Sequence, residues 1–107
     1  MGRKPKFRIR NKSHFVLVAP NGKVILTSEM YKQVDSVRRG IRAVKRNSKN
    51  PDNFKKMVAQ DGSFYFVLIA GNNKVVGVSE MYKTRLGRWF GIQSVIRNAS
   101  KAPIVYV

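Results

Sequence analysis

The chain has 107 residues, 43% of them hydrophobic, which suits one compact domain or two very small units sharing a core. Its 22 Lys and Arg against 5 Asp and Glu give a formal net charge of +17, and self-repulsion of that size in a small fold points to a polyanionic partner, with nucleic acid first. The absence of cysteine excludes disulfides, thiolate catalysis and Cys-based zinc or iron–sulfur sites, and one histidine, His14, cannot supply a multi-histidine cluster, so no metal or cofactor is expected.

The amino-terminal stretch "MGRKPKFRIRNK" is basic, but neither a long apolar segment nor a small-residue cleavage site follows it, and no apolar run approaches the roughly 20 residues of a membrane span. A soluble, cytoplasmic protein without membrane association is the expectation. Residues 1–12 read as a basic arm and edge strand: Phe7 and Ile9 turn toward a sheet, Lys6, Arg8 and Arg10 turn away from it, Arg3 and Lys4 form a loose arm, and Lys12 follows. Arms of this kind track phosphates or enter a minor groove, whereas a simpler role for the charge is to protect an exposed edge.

From residue 13 the pattern has period two. Phe15, Leu17 and Ala19 alternate with Val16 and Val18, "PNG" interrupts, and "KVILT" follows, predicting a hairpin turned at Asn21–Gly22. The segment "SEMYK" at Ser28–Lys32 comes next, where the chain must leave the sheet, and beyond it a period near 3.6 places Val37, Ile41 and Val44 on one helical face. Arg38, Arg39, Arg42, Lys45, Arg46 and Lys49 fall within an arc of roughly 120° beside that face, with Asp35 as the helix's only acid. A solvated helix normally interleaves both signs, so this stripe is a candidate phosphate-binding surface. "NSKNPDN" then reads as a loop, "FKKMV" as a short strand, and "DGS" around Gly62 as a turn.

The second half repeats the first. Setting Phe15 over Phe66, 51 positions on, aligns "FVLVAPNGKVILTSEMYK" with "FVLIAGNNKVVGVSEMYK" and continues through Gly40 and Gly91, Ile41 and Ile92, and Val44 and Val95. Two copies are too few for a solenoid, so an internal duplication with pseudo-twofold symmetry and a shared core is expected, with repeats at residues 13–53 and 54–107. The helices differ informatively: Arg38 and Arg39 align with Trp89 and Phe90, which stand near Arg85 and Arg88. Exposed aromatics beside arginines suit base stacking or a protein-contact anchor, while a Trp89 folded over the core edge or over the terminal "IVYV" strand is the plainer alternative.

SEMYK itself, repeated at Ser79–Lys83, is expected to be scaffold, with Met30 and Tyr31 packing beneath the helix and Ser28 or Glu29 bonding freed backbone. The chemical alternative makes Glu29 and Glu80 a carboxylate pair, but Asp35, Asp52 and Asp61 are scattered and no P-loop, GxSxG or HExxH occurs.

These paired motifs, "FVLVAPNGKVILTSEMY" with "GIRAV" and "FYFVLIAGNNKVVGVSEMY" with "GIQSVIRN", resemble the two repeats of the YegP-like family of small tandem-repeat bacterial proteins of unknown function. The resemblance runs from about Phe7 to Asn98. It implies an α+β fold in which two pseudo-symmetric β3-α-β repeats form one antiparallel sheet, with both helices on one face and terminal strands exchanged between halves. It implies no activity, catalytic residue or cofactor. Taken together, the reading favours a non-enzymatic, largely sequence-nonspecific binder of DNA or RNA. The alternative is a bacterial or phage protein-interaction module that docks an acidic partner through Trp89, Phe90 and the basic face. Homodimerisation through the "IVYV" edge is left open.

Overall fold

The computed structural model describes residues 4–107. The elements run β1 (Lys6–Arg10), β2 (His14–Val18), β3 (Val24–Thr27), α1 (Val34–Asn47), β4 (Phe54–Val58), β5 (Phe64–Ile69), β6 (Val75–Val78), α2 (Arg85–Asn98) and β7 (Ile104–Tyr106), with single 3-10 turns at Pro51–Asn53 and Ala99–Lys101. Each half is thus three strands followed by a helix, the duplication expected from the repeat.

All seven strands join one sheet in the order β4-β5-β6-β3-β2-β1-β7, so the halves abut where β3 pairs with β6 at Thr27–Val78. Both hairpins form as the turn residues require. Gly22 takes φ 85°, and Asn73, at the matching position of the second copy, takes φ 65°, a left-handed conformation that Asn tolerates better than most residues. Each hairpin carries a register shift at its inner end, between Leu17 and Val18 and between Leu68 and Ile69.

Strand alternation sends Phe7, Ile9, Phe15, Leu17, Leu26, Phe66 and Leu68 to one face, where Val37, Ile41 and Val44 of α1 and Ile92 and Val95 of α2 meet them in a single buried cluster. The rings of Phe7 and Phe15, and of Phe54 and Phe66, stand edge to face with centroids 5.7 Å apart in both halves. Helix and sheet approach so closely at Gly40 that an added Cβ would lie 2.6 Å from Tyr31 Oη, and at Gly91 it would meet Tyr82 Oη, which accounts for glycine at both matched positions.

Two expectations need correction. First, β1 is not an edge strand: it lies between β2 and β7, and Phe7 and Ile9 are fully buried. Second, the sheet is mixed, because β7 runs parallel to β1, with Phe7 opposite Ile104 and Ile9 opposite Tyr106. The chain returns from α2 across the molecule to reach that place, which is the exchange of a terminal strand between halves. A parallel pairing across this much sequence leaves no local signal, since only antiparallel neighbours announce themselves by a short turn.

Candidate nucleic-acid interface

The 14 residues of α1 bury Val37, Ile41 and Val44 and leave Arg39, Arg42, Arg46 and Lys49, the last just past its end, exposed. Two members of the predicted stripe have other employment. Arg38 donates from Nε to Tyr106 Oη at 2.7 Å and from Nη1 to Asp35 at 2.9 Å, with its guanidinium 5.6 Å from the Tyr106 ring centre. Lys45 donates from Nζ to the Ala102 carbonyl at 2.8 Å and lies 5.6 Å from the Phe7 ring centre. Both therefore hold the carboxyl-terminal segment against the helix. The bond to Tyr106, followed by the attraction of Asp35, raises the already high pKa of Arg38.

The amino-terminal cations lie elsewhere. Because Phe7 and Ile9 face the helices, Lys6, Arg8 and Arg10 project from the opposite face of the sheet. There Arg8 stands across from Val16 and Lys6 from Val18, and both valines are buried although no helix covers that face, as expected if the aliphatic stems of the cations shield them. Lys4 is exposed, Lys12 occupies the β1–β2 turn at φ 55°, and Arg3 lies outside the described residues. Helix stripe and strand cations thus form two separate sets on opposite faces of the sheet.

Among the described residues, ion pairs engage only Arg38, with Asp35, and Lys74, with Glu29 at 3.8 Å. The other described cations have no carboxylate at that range. Arg85 is exposed, with its guanidinium 5.3 Å from the Phe64 ring centre. Arg88 departs from the expectation of a surface cation: it is buried, donates to the Met57 carbonyl at 2.9 Å and lies 5.2 Å from the same ring. It braces α2 against β4 and takes the helix position that Val37 occupies in the first half. Trp89 and Phe90 are 48% and 58% exposed, their rings edge to face with centroids 5.2 Å apart. Trp89 stands beside Phe54 and Ile92 at the β4 end of the sheet, and the terminal strand β7 lies at the opposite edge, so Trp89 does not cover that strand.

The SEMYK segments behave as matched joints. Ser28 Oγ accepts the Phe15 N–H at 2.9 Å and donates to the Glu29 carbonyl at 2.8 Å, and Ser79 makes the same bonds with Phe66 and Glu80 at the same distances. Tyr31 and Tyr82 lie under their helices, where burial, and secondarily Glu29 and Glu80, push the phenols above their usual pKa. Met30 corrects the expectation that it packs beneath the helix: it is 68% exposed, and Met81 is likewise exposed. Antiparallel pairing of β3 with β6 carries the two segments away from each other, so Glu29 and Glu80 do not share a site. Ser79→Ala would leave the Phe66 N–H without its acceptor and should lower unfolding free energy by about 1–3 kcal/mol. The double variant Glu29→Gln/Glu80→Gln should change it by no more than about 0.5 kcal/mol, both read from urea midpoints.

A family model described as a domain of unknown function, DUF1508, matches this chain twice, at residues 10–54 and 59–105. The UPF0339 protein YegP of Escherichia coli K12 is 42% identical over 94 residues, covering 88% of this chain and 86% of that protein. The UPF0339 protein PA0329 of Pseudomonas aeruginosa is 45% identical over 89 residues, covering 83% and 81%. The solution NMR structure of YegP from E. coli, a protein of unknown function, superposes with a TM-score of 0.90 at 37% identity over 97% of this chain and 93% of that one. That of UPF0339 protein SO3888 from Shewanella oneidensis gives 0.88 at 34%, over 96% and 91%. With both repeats matched, and sequence and fold shared over nearly their whole length, the chain belongs to the DUF1508 family of YegP-like, UPF0339 proteins.

Proposed function

We propose that this protein is a non-enzymatic, cytoplasmic nucleic-acid-binding protein whose affinity comes from phosphate contacts and whose sequence preference is weak. The observation that carries this reading is a surplus of 17 positive charges with ion pairs at only Arg38 and Lys74 among the described residues. Arg39, Arg42, Arg46 and Lys49 present the densest exposed group, on a helix whose one acid is already paired with Arg38. Lys6, Arg8 and Arg10 add a second group on the sheet face. Such an array reads backbone charge and not base edges, which fits a double or single strand of either sugar. The test is a fluorescence-anisotropy titration with mixed-sequence duplex and single-stranded oligonucleotides at about 50 mM and about 200 mM salt. Binding that weakens steeply between the two conditions, equally for unrelated sequences, is the expected result; absent or salt-independent binding rejects the reading.

A second reading, a protein-interaction module, draws on the exposed Trp89 and its arginine neighbours, and takes a more definite form at the adjoining strand.

A further inference from the structure

The two ends of the sheet are not equivalent, although the halves that build them are. Phe7 faces Leu17 as Phe54 faces Leu68, which makes β4 the counterpart of β1. On β1 lies a parallel strand, β7, held by the Phe7 N–H on the Pro103 carbonyl at 2.7 Å and the Val107 N–H on the Ile9 carbonyl at 2.9 Å. On β4 lies no strand among the described residues. Phe64 exchanges both backbone bonds with Tyr82, so by the alternation of an antiparallel ladder the backbone groups of Val58 and Lys56 point to the open edge. Above that edge is a groove of about 480 Å³ lined by Lys56, Arg85, Leu86, Arg88 and Trp89. Trp89 stands on α2 where Arg38, which grips Tyr106 of β7, stands on α1.

We propose that β4 and this groove form a docking site for an extended, acidic-apolar segment of another protein, added to the sheet parallel to β4 as β7 is added to β1. The occupied end supplies the pattern. The partner residue matching Tyr106 would lie against Trp89 and is aromatic or aliphatic. The one before it matches Val105, which is paired with Arg8, and so falls beside Lys55 on the open face, where a carboxylate is favoured. Lys55, Lys56 and Arg85 are exposed; of the two carboxylates that flank β4 in the chain, Asp52 lines a neighbouring hollow with Lys55, Lys56 and Trp89 and Asp61 lies in the β4–β5 turn, and neither forms an ion pair among the described residues. Lysines alone would suffice to guard an open edge; Leu86, at 63% exposure, and Trp89 beside it are what a merely guarded edge lacks. A second copy of this chain is a poor occupant, since two surfaces of like charge would meet and its β7 would have to leave β1 bare.

This site is separate from the exposed α1 cations, and its test does not depend on them. Trp89 is the only tryptophan, so its emission reports the groove directly. The probe is the blocked peptide Ile-Glu-Tyr-Glu-Val-Glu, titrated into the full chain with amide shifts followed in parallel; the same peptide with Lys for Glu is the charge control. The expected result is a change in Trp89 emission, shifts centred on residues 54–58, and no binding of the lysine peptide. Trp89→Ala should weaken binding by about 30-fold, the loss of a central aromatic anchor. Lys56→Pro removes the edge donor that matches Ile9, at a position where an edge strand tolerates proline, and should abolish the shifts on β4 with far-UV circular dichroism unchanged. Should that variant unfold, Trp89→Ala, a surface change, still decides. Three results overturn the proposal: no emission change at excess peptide; an oligonucleotide that displaces the peptide from the same residues, which assigns the groove to nucleic acid; or sedimentation as a dimer with β4 amides protected, which assigns the edge to a second copy.

Discussion

Replacing Arg39, Arg42, Arg46 and Lys49 together with Gln should flatten the salt dependence of oligonucleotide binding by about 3.6 in the slope of log K against log salt, at about 0.9 for each lost duplex phosphate contact. At about 0.1 M salt that corresponds to a loss of up to about three and a half decades in affinity. The expectation rests on these four being exposed and free of carboxylate partners within ion-pair distance among the described residues. The fold should be untouched, because none of the four is in the buried cluster. Arg38 and Lys45 provide the contrast on the same helix. Their charges are spent on Tyr106, Asp35 and the Ala102 carbonyl, so Arg38→Gln/Lys45→Gln should loosen the carboxyl-terminal strand and lower the midpoint of unfolding while changing the slope little. A third variant, Lys6→Gln/Arg8→Gln/Arg10→Gln, addresses the opposite face. Retained affinity in the helix variant with loss in the strand variant would move the phosphate surface to the sheet; retention in both would remove the basis for nucleic-acid binding.

What could be read from the residues and what could not divide along a physical line. The hairpin turns, the core face of each strand and the core face of α1 are written in patterns of two to four residues, and Gly22, Phe15 and Val37 stand where those patterns put them. The duplication is equally legible, because matched residues such as Ser28 and Ser79 perform the same bonding task twice. What escapes is whatever depends on partners far away in the chain. The six cations of the predicted stripe look alike on a helical wheel, yet Arg38 and Lys45 are claimed by Tyr106 and Ala102 of the carboxyl-terminal segment. Arg88 looks like Arg85 in composition, yet it is buried with its guanidinium on the Met57 carbonyl of β4. Lys6, Arg8 and Arg10 alternate correctly, but their placement opposite the helix stripe depends on which face the helices cover. A signal for Arg88 did exist in the alignment, since its counterpart Val37 is on the core face of α1; a cation at an apolar position asks for a buried acceptor.

Phe66→Ala should lower unfolding free energy by about 3–5 kcal/mol, a large fraction of the roughly 5–15 kcal/mol available to a domain of this kind. The ring of Phe66 is fully buried, packs edge to face on Phe54 and stacks on Tyr82 with centroids 6.5 Å apart, so its removal leaves a cavity between the edge strand and the helix that little can collapse to fill. Phe15→Ala removes the matching ring beside Phe7 in the first half and should cost a similar amount. The comparison carries more than either value. Buried residues of both halves form one cluster, β3 pairs with β6, and the strand after α2 completes the end of the sheet that begins with β1. Damage to either half must therefore be felt by both, and each variant should still melt in one transition, with far-UV and tryptophan signals coincident although Trp89 reports only on α2. Two separated transitions for Phe15→Ala, with the Trp89 signal unmoved, would mean that the halves are independent units and that the pseudo-symmetric core is shared in geometry but not in energy.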